Sequence, residues 1–231
     1  EATWRVGGTV AAALIHTLGG LFDSAGELLQ EGLGGELIDR LRHRNSIAGR
    51  RRMGRLWVFQ VCPNRYRRVI EQWITEEAAI RVLTGQRVVA VRREVNEMTT
   101  LETDGRHGRR SLTSPVVIDA TGTAEVVRQR DPALLQDAAG RSAAGLIFRM
   151  RGIPAGSLAF PRGAQVVQAL RAAAASGELP PSCAKAWVDT GAYEDEAFVK
   201  LLVPLTAEWR GPARHEPMRQ ARRVEAAVVR F

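Results

Sequence analysis

Residues 116–127 read VVIDATGTAEVV, and this segment constrains the fold more than any other. Pro115 introduces it. Val116, Val117, Ile118 and Ala120 are apolar and enclose a single acid, Asp119. That composition predicts a buried strand. Thr121 and Gly122 then supply a turn, and Glu125-Val126-Val127 opens a helix. A buried strand that ends in a glycine turn before a helix is how an α/β sheet presents its ligand edge. Asp119 is expected to cap that turn.

The rest of the pattern is consistent with an α/β chain. Two double glycines, Gly7-Gly8 and Gly19-Gly20, bracket an apolar stretch of small residues. Glycines placed this way indicate tight turns and close backbone approach. Leu33, Leu37, Ile38 and Leu41 share one helical face. Residues 45–54 are polar and Arg-rich, which predicts an exposed loop. Leu56–Val61 has strand composition, and Asn64 is a plausible cap for a helix carrying Tyr66, Val69, Ile70, Trp73 and Ile74. Short strand-like runs follow at 80–83, 87–92, 97–103 and 109–113, with Asp104-Gly105 as a hairpin pair. Further on, 145–151 and 198–205 read as strands and 165–175 as a helix. Residues 176–182 resemble a linker.

Composition narrows the function classes. The net charge is +8. Lys185 and Lys200 are the only lysines, so nearly all of the positive charge is arginine. A basic surface can draw in anions or nucleic acid. No nucleic-acid reader motif accompanies the charge, and aromatics are not interleaved with the arginines as a stacking platform requires. No run approaches the roughly 18 apolar residues of a membrane span. Cys62 and Cys183 form no C-x-x-C pair and show no metal-ligand spacing with the histidines. No metal site is expected, and unpaired cysteines fit a reducing cytoplasm.

The order of these pieces resembles the FAD-dependent oxidoreductases of the glutathione-reductase-like superfamily, close in look to the fumarate reductase and succinate dehydrogenase flavoproteins. Three segments carry the resemblance: Glu1 with Gly7-Gly8-Thr9, the Ala120-Thr121-Gly122-Thr123 turn after its apolar run, and, more loosely, GLIFRMRG with the later MRQARRV. It implies a Rossmann-like FAD-binding domain with an inserted β-rich, α+β substrate region. Residues 1–140 would form the FAD-binding region and 141–231 the substrate side. The cofactor implied is FAD. Glu1 would accept hydrogen bonds from the adenosine ribose, and Gly7, Gly8 and Thr9 would lie along the cofactor. The backbone of Val88 and Val89 would face the adenine, and Ala120, Thr121, Gly122 and Thr123 would pass near the same end.

Two departures qualify the resemblance. The sequence opens after the place of the family's G-x-G-x-x-G turn and stops before its late glycine–acid segment. The resemblance thus implies one of three things: a longer protein, which is the expectation, a partner chain that completes the FAD site, or a scaffold that has lost FAD. The expected reaction passes a hydride between a small-molecule substrate and the flavin. The alternative is a non-catalytic binding or assembly subunit. A basic RNA-associated flavoprotein is a third reading, supported by charge alone. His16, in the segment between the double glycines, is either a hydrogen-bonded histidine in a packed loop or an acid/base beside the flavin, with covalent flavin attachment as a further reading. Arg149 and Arg151 are candidates for an acidic substrate, because guanidinium matches carboxylate in two-point hydrogen bonding.

Overall fold

The computed structural model describes residues 1–44, 49–136, 144–203 and 216–231. In chain order the elements are α1 (Gly8–Ala12), β1 (Thr17–Leu18), α2 (Leu33–Arg44), β2 (Gly49–Met53), β3 (Leu56–Gln60) and α3 (Pro63–Glu76). Then come β4 (Gln86–Arg93), β5 (Thr99–Gly105), β6 (Arg110–Ser114) and α4 (Glu125–Arg130). The last group is β7 (Ala144–Arg151), α5 (Arg162–Ser176), β8 (Trp187–Thr190), β9 (Glu196–Val203) and α6 (Glu216–Arg230). Two compact units result: one from residues 1–8 and 71–140, the other from 9–70 and 141–231. The sequence reading divides the chain once, after residue 140. The contacts also divide it near residues 8 and 70. No helix among the described residues is long and apolar enough to cross a membrane.

The first unit is built on a meander, β4-β5-β6. Thr103 stands opposite both Val88 and Arg110 across this sheet. The register slips between Val88 and Ala90, so Val89 is an extra residue in a bulge. The buried residues here include the polar Gln86, Thr99, Thr100 and Thr103. Pairing makes three of these burials tolerable: the Thr103 hydroxyl donates to Gln86 Oε1 at 2.9 Å, and Thr100 and Thr113 hydroxyls meet at 2.9 Å. The main chain of residues 1–3 runs beside 85–86, with Gly85 N donating to Thr3 O at 2.9 Å and Gln86 N donating to Glu1 O at 3.1 Å.

The second unit holds two antiparallel sheets, ordered β1-β3-β2 and β7-β9-β8. Phe59 and Val61 from β3 and its exit pack with Ile38 and Leu41 of α2 and Val69 of α3. That cluster follows from the helical spacing of 37, 38 and 41. A second core joins Phe148 of β7, Val199 and Leu201 of β9, Leu170 and Ala173 of α5, and Val224 and Val228 of α6.

Several expectations fail in instructive ways. Residues 116–120 belong to no strand, and Val116 and Ile118 are 71% and 86% exposed rather than buried. An apolar run becomes a strand only where a neighbour takes its N–H and C=O groups, and no described strand does so here. All strand pairings among the described residues are antiparallel. The parallel sheet of a Rossmann-like fold therefore has no counterpart among them, although the mixed helix-and-strand composition is as expected. Residues 80–83 likewise form no strand. Conversely, the part of the predicted loop at 49–53 is strand β2, paired along its length with β3. Residues 45–48 of that loop, and 204–205 of the last predicted strand, lie outside the described residues.

Candidate active site

Sheet β7-β9-β8 sets up a row across its three strands. Arg149 stands opposite Phe198, and Phe198 opposite Asp189. Directly opposed residues in antiparallel strands project to one face. On that face the ring of His16 stacks against Phe198, with centroids 3.8 Å apart and planes 12° from parallel. His16 Nε2 lies 3.2 Å from Asp189 Oδ2. His16 is held from its other side by its own main chain, whose carbonyl accepts from Val61 N at 2.9 Å. Both His16 and Phe198 are fully buried.

Asp189 is the hub of this arrangement. Arg51 of β2 donates to it through Nη2, at 2.8 Å from Oδ1 and 2.9 Å from Oδ2, and through Nη1 to the Thr190 hydroxyl at 2.8 Å. Lys200 Nζ stands 3.7 Å from Oδ2. Burial by itself would raise the Asp189 pKa. Hydrogen bonds from His16 and Arg51, with the charge of Arg51, outweigh it and bring the carboxyl down to about 2. Lys200 moves the same way for a different reason: burial lowers its pKa first, Arg51 adds to that, and Asp189 opposes it. Gln60 closes the group by donating to Thr190 O at 3.1 Å.

This arrangement sets the chemistry available to the imidazole. A carboxylate is acceptor-only, so Nε2 carries the hydrogen that faces Asp189. In the neutral ring Nδ1 then carries the lone pair. Nδ1 is buried and has no hydrogen-bond partner among the described residues.

Arg149 and Arg151 face carboxylates of their own unit. Arg149 Nη1 is 3.5 Å from Glu196 Oε1, and Glu196 is itself buried. Arg151 Nε donates to Asp195 Oδ2 at 3.0 Å, and its guanidinium lies over the Tyr193 ring at 4.9 Å. Thr9 belongs to this same unit, exposed in α1, with its carbonyl accepting from Ala13 N at 2.9 Å.

The remaining candidates fall in the first unit. Glu1 is exposed; its Oε1 accepts from Thr3 N at 2.9 Å and lies 2.8 Å from the Thr3 hydroxyl. The main-chain hydrogen bond from Thr3 is the largest influence on this carboxyl, and its pKa is lowered. Gly7 and Gly8 have φ of 107° and 51°, a region that side chains strain to adopt. A Cβ on Gly8 would meet nothing within 4 Å. Ala120, Thr121, Gly122 and Thr123 form an exposed turn. Asp119 shapes it: Oδ1 accepts from Thr121 N at 3.0 Å and the Thr121 hydroxyl at 2.7 Å, and Oδ2 accepts from Val126 N at 2.9 Å and Val127 N at 3.1 Å. This turn leads into α4, which packs on β4, and Gln129 Nε2 donates to Val88 O at 3.2 Å. The turn and the Val88–Val89 bulge are thereby tied together.

Asp189, Arg51 and Lys200 were not candidates in the sequence reading. Arg51 lies in Gly-Arg-Arg-Arg-Met, which shows no apolar alternation in sequence; its inward face appears only in the alternating burial of β2. For Asp189 only the short run WVDT offered anything, and it carries no glycine or motif.

A family model described as FAD dependent oxidoreductase matches residues 1–227. Among solved structures, the chain is similar to the OxyS anhydrotetracycline hydroxylase from Streptomyces rimosus, with a TM-score of 0.50 and 14% sequence identity over 99% of this chain and 43% of that one. It also matches the p-nitrophenol 4-monooxygenase PnpA from Pseudomonas putida DLL-E4 at TM-score 0.46 and 14% identity, over 98% of this chain and 56% of that one. The chain thus spans less than two thirds of either. At this identity the likeness to the hydroxylase concerns fold alone. No curated protein matches the sequence.

Proposed function

The chain belongs to the FAD-dependent oxidoreductases, whose cofactor is FAD, and from that premise we propose that it takes part in hydride transfer between a small organic substrate and the flavin. The observation that carries the catalytic part of this reading is the buried His16–Asp189 pair, with His16 Nδ1 left without a partner.

The first unit offers features that fit the adenosine end of FAD. Open space in front of Gly8, and likewise in front of Gly122 at φ 76°, leaves main chain accessible where a side chain would otherwise stand. β4 is the edge strand of its sheet, and Val89, 46% exposed, sits in the bulge. Unpaired edge groups can hydrogen-bond an adenine edge as they would a neighbouring strand. Glu1 supplies an ionised acceptor for ribose hydroxyls. Gly7, Gly8 and the turn Ala120–Thr123 complete the proposed cofactor set of this unit. A Rossmann-like arrangement around it is part of the same proposal.

Bound flavin would supply the hydride acceptor or donor. The chain would supply the proton acceptor. Asp189 holds Nε2–H and fixes the ring plane, with Phe198 stacked beneath it. Nδ1 then takes the substrate proton, and the imidazolium so formed is stabilised by the adjacent carboxylate, the logic of an oriented acid/base pair. Arg149 and Arg151 are proposed to orient an acidic group of the substrate. Their carboxylate partners would keep them in place until it arrives. Two buried, unpaired cysteines support a cytoplasmic setting.

The visible spectrum of the purified full-length protein, taken before and after denaturation, tests this. Flavin bands near ~450 nm that pass into the filtrate on unfolding are expected. Bands retained with the precipitate would point to covalent attachment. A protein that shows none, even after incubation with FAD, would leave a non-catalytic binding subunit as the better reading.

A further inference from the structure

Beside the edge strand β8 the second unit contains a cleft of about 470 Å³, within the range of small-molecule sites. Its opposite wall is one face of α5. Ala164, Val167, Gln168 and Arg171 recur at spacings of three and four, so they lie together. We infer that this cleft binds a planar aromatic carboxylate, with Arg171 taking the carboxylate and Trp187 and Phe160 taking the ring.

Charge leads to the anion. The lining carries two guanidinium groups, Arg51 and Arg171, and one carboxylate, Asp189. Asp189 is already engaged by Arg51, Lys200 and His16. Arg51 is spent on Asp189 and Thr190. Arg171 has no carboxylate partner among the described residues, and it is exposed to the cleft's solvent. A guanidinium with its fork free is a two-point receptor for a carboxylate.

Shape and surface lead to the ring. Trp187 is 50% exposed and Phe160 90% exposed, while Val167 behind them is buried. Two exposed aromatic faces over an apolar floor leave a surface that a flat ring covers by stacking. An aliphatic chain would gain area there but no stacking. As a substrate site, the cleft rests on the oxidoreductase reading. As a binding site it does not, so the test measures binding alone.

Titration calorimetry of the full-length protein with 2-naphthoate, 2-naphthalenemethanol and octanoate separates the parts of the inference. Saturable binding of 2-naphthoate is expected, at least about tenfold tighter than either comparison ligand. Arg171→Gln should bring 2-naphthoate down to the affinity of the alcohol and leave the alcohol unchanged. Trp187→Leu should weaken both aromatic ligands. Arg171 is exposed, so its variant is expected to keep the wild-type circular dichroism spectrum. Equal binding of naphthoate and alcohol overturns the anion site, as does an Arg171→Gln variant with unaltered affinity. Octanoate binding as tightly as naphthoate overturns the aromatic part, and no saturable heat up to about 1 mM overturns the site as a whole. The flavin spectrum is read separately, so either proposal can fail while the other stands.

Discussion

His16 Nε2 lies 3.2 Å from Asp189 Oδ2, although 173 positions separate the two residues in the chain. Within one unit, His16 immediately precedes β1, Asp189 lies in β8, and Arg51 of β2 ties down the carboxylate. The pair's consequences can be measured one residue at a time.

Replacing Asp189 with Asn should destabilise the protein by about 3 kcal/mol at neutral pH, because it strips the partner from Arg51 and Lys200 while leaving both cations in place. Equilibrium denaturation of the two proteins gives the difference. A change below about 0.5 kcal/mol would mean the cluster is solvated rather than structural.

The same carboxylate dictates a pH dependence. Its folded pKa, about 2, lies below the ordinary 3.8. The stabilisation is thus complete above about pH 4 and is lost as pH falls towards 2. A lowering of that size amounts to about 2 kcal/mol. Unfolding free energies between pH 5 and pH 2 should fall more steeply for the wild type than for Asp189→Asn. Parallel curves would contradict the assignment.

His16→Gln should lower turnover by about 10² to 10⁴ while leaving flavin content unchanged. The pH–rate profile should lose one limb. If turnover falls only as far as flavin content does, the residue is a packing histidine.

Asp119 accepts four hydrogen bonds, two from Thr121 in the turn and two from the first residues of α4. Asp119→Ala should speed amide exchange at Thr121, Val126 and Val127 and leave the β7-β9-β8 amides untouched. Uniform change across the chain would show that the effect is global rather than local.

Gly105 lies so close to the Gly85 carbonyl oxygen that a Cβ would overlap it. Gly105→Ala should cost about 1–3 kcal/mol, since backbone cannot step aside as a side chain can. Gly145→Ala, where a Cβ meets nothing within 4 Å, serves as the neutral control. Thermal melts of the two variants distinguish them.

Much of the fold was legible in the residues. The helical spacing of Leu37, Ile38 and Leu41 marks α2, and Tyr66, Val69 and Trp73 mark α3. The alternating runs at 87–92 and 145–151 appear as β4 and β7. What failed was the run at 116–120. Its apolar composition is that of a strand, but composition cannot supply the partner that takes its main-chain groups. The site was half legible. His16 was noticed from its setting between glycines. Asp189 and Arg51 were not, because an acid in a four-residue strand and one arginine among many look like surface.

The sequence by itself determined helices α2 and α3, strands such as β4 and β7, the turn at Ala120–Thr123 and the resemblance that points to FAD. These depend on periodicity and on local main-chain needs, both written in neighbouring residues. Only the tertiary structure decided that His16, Arg51, Asp189 and Lys200 share one carboxylate-centred cluster, and that Arg171 lines a cleft whose one carboxylate is already engaged by others. Such groupings depend on which strands lie side by side, and that is set by packing between residues far apart in the chain.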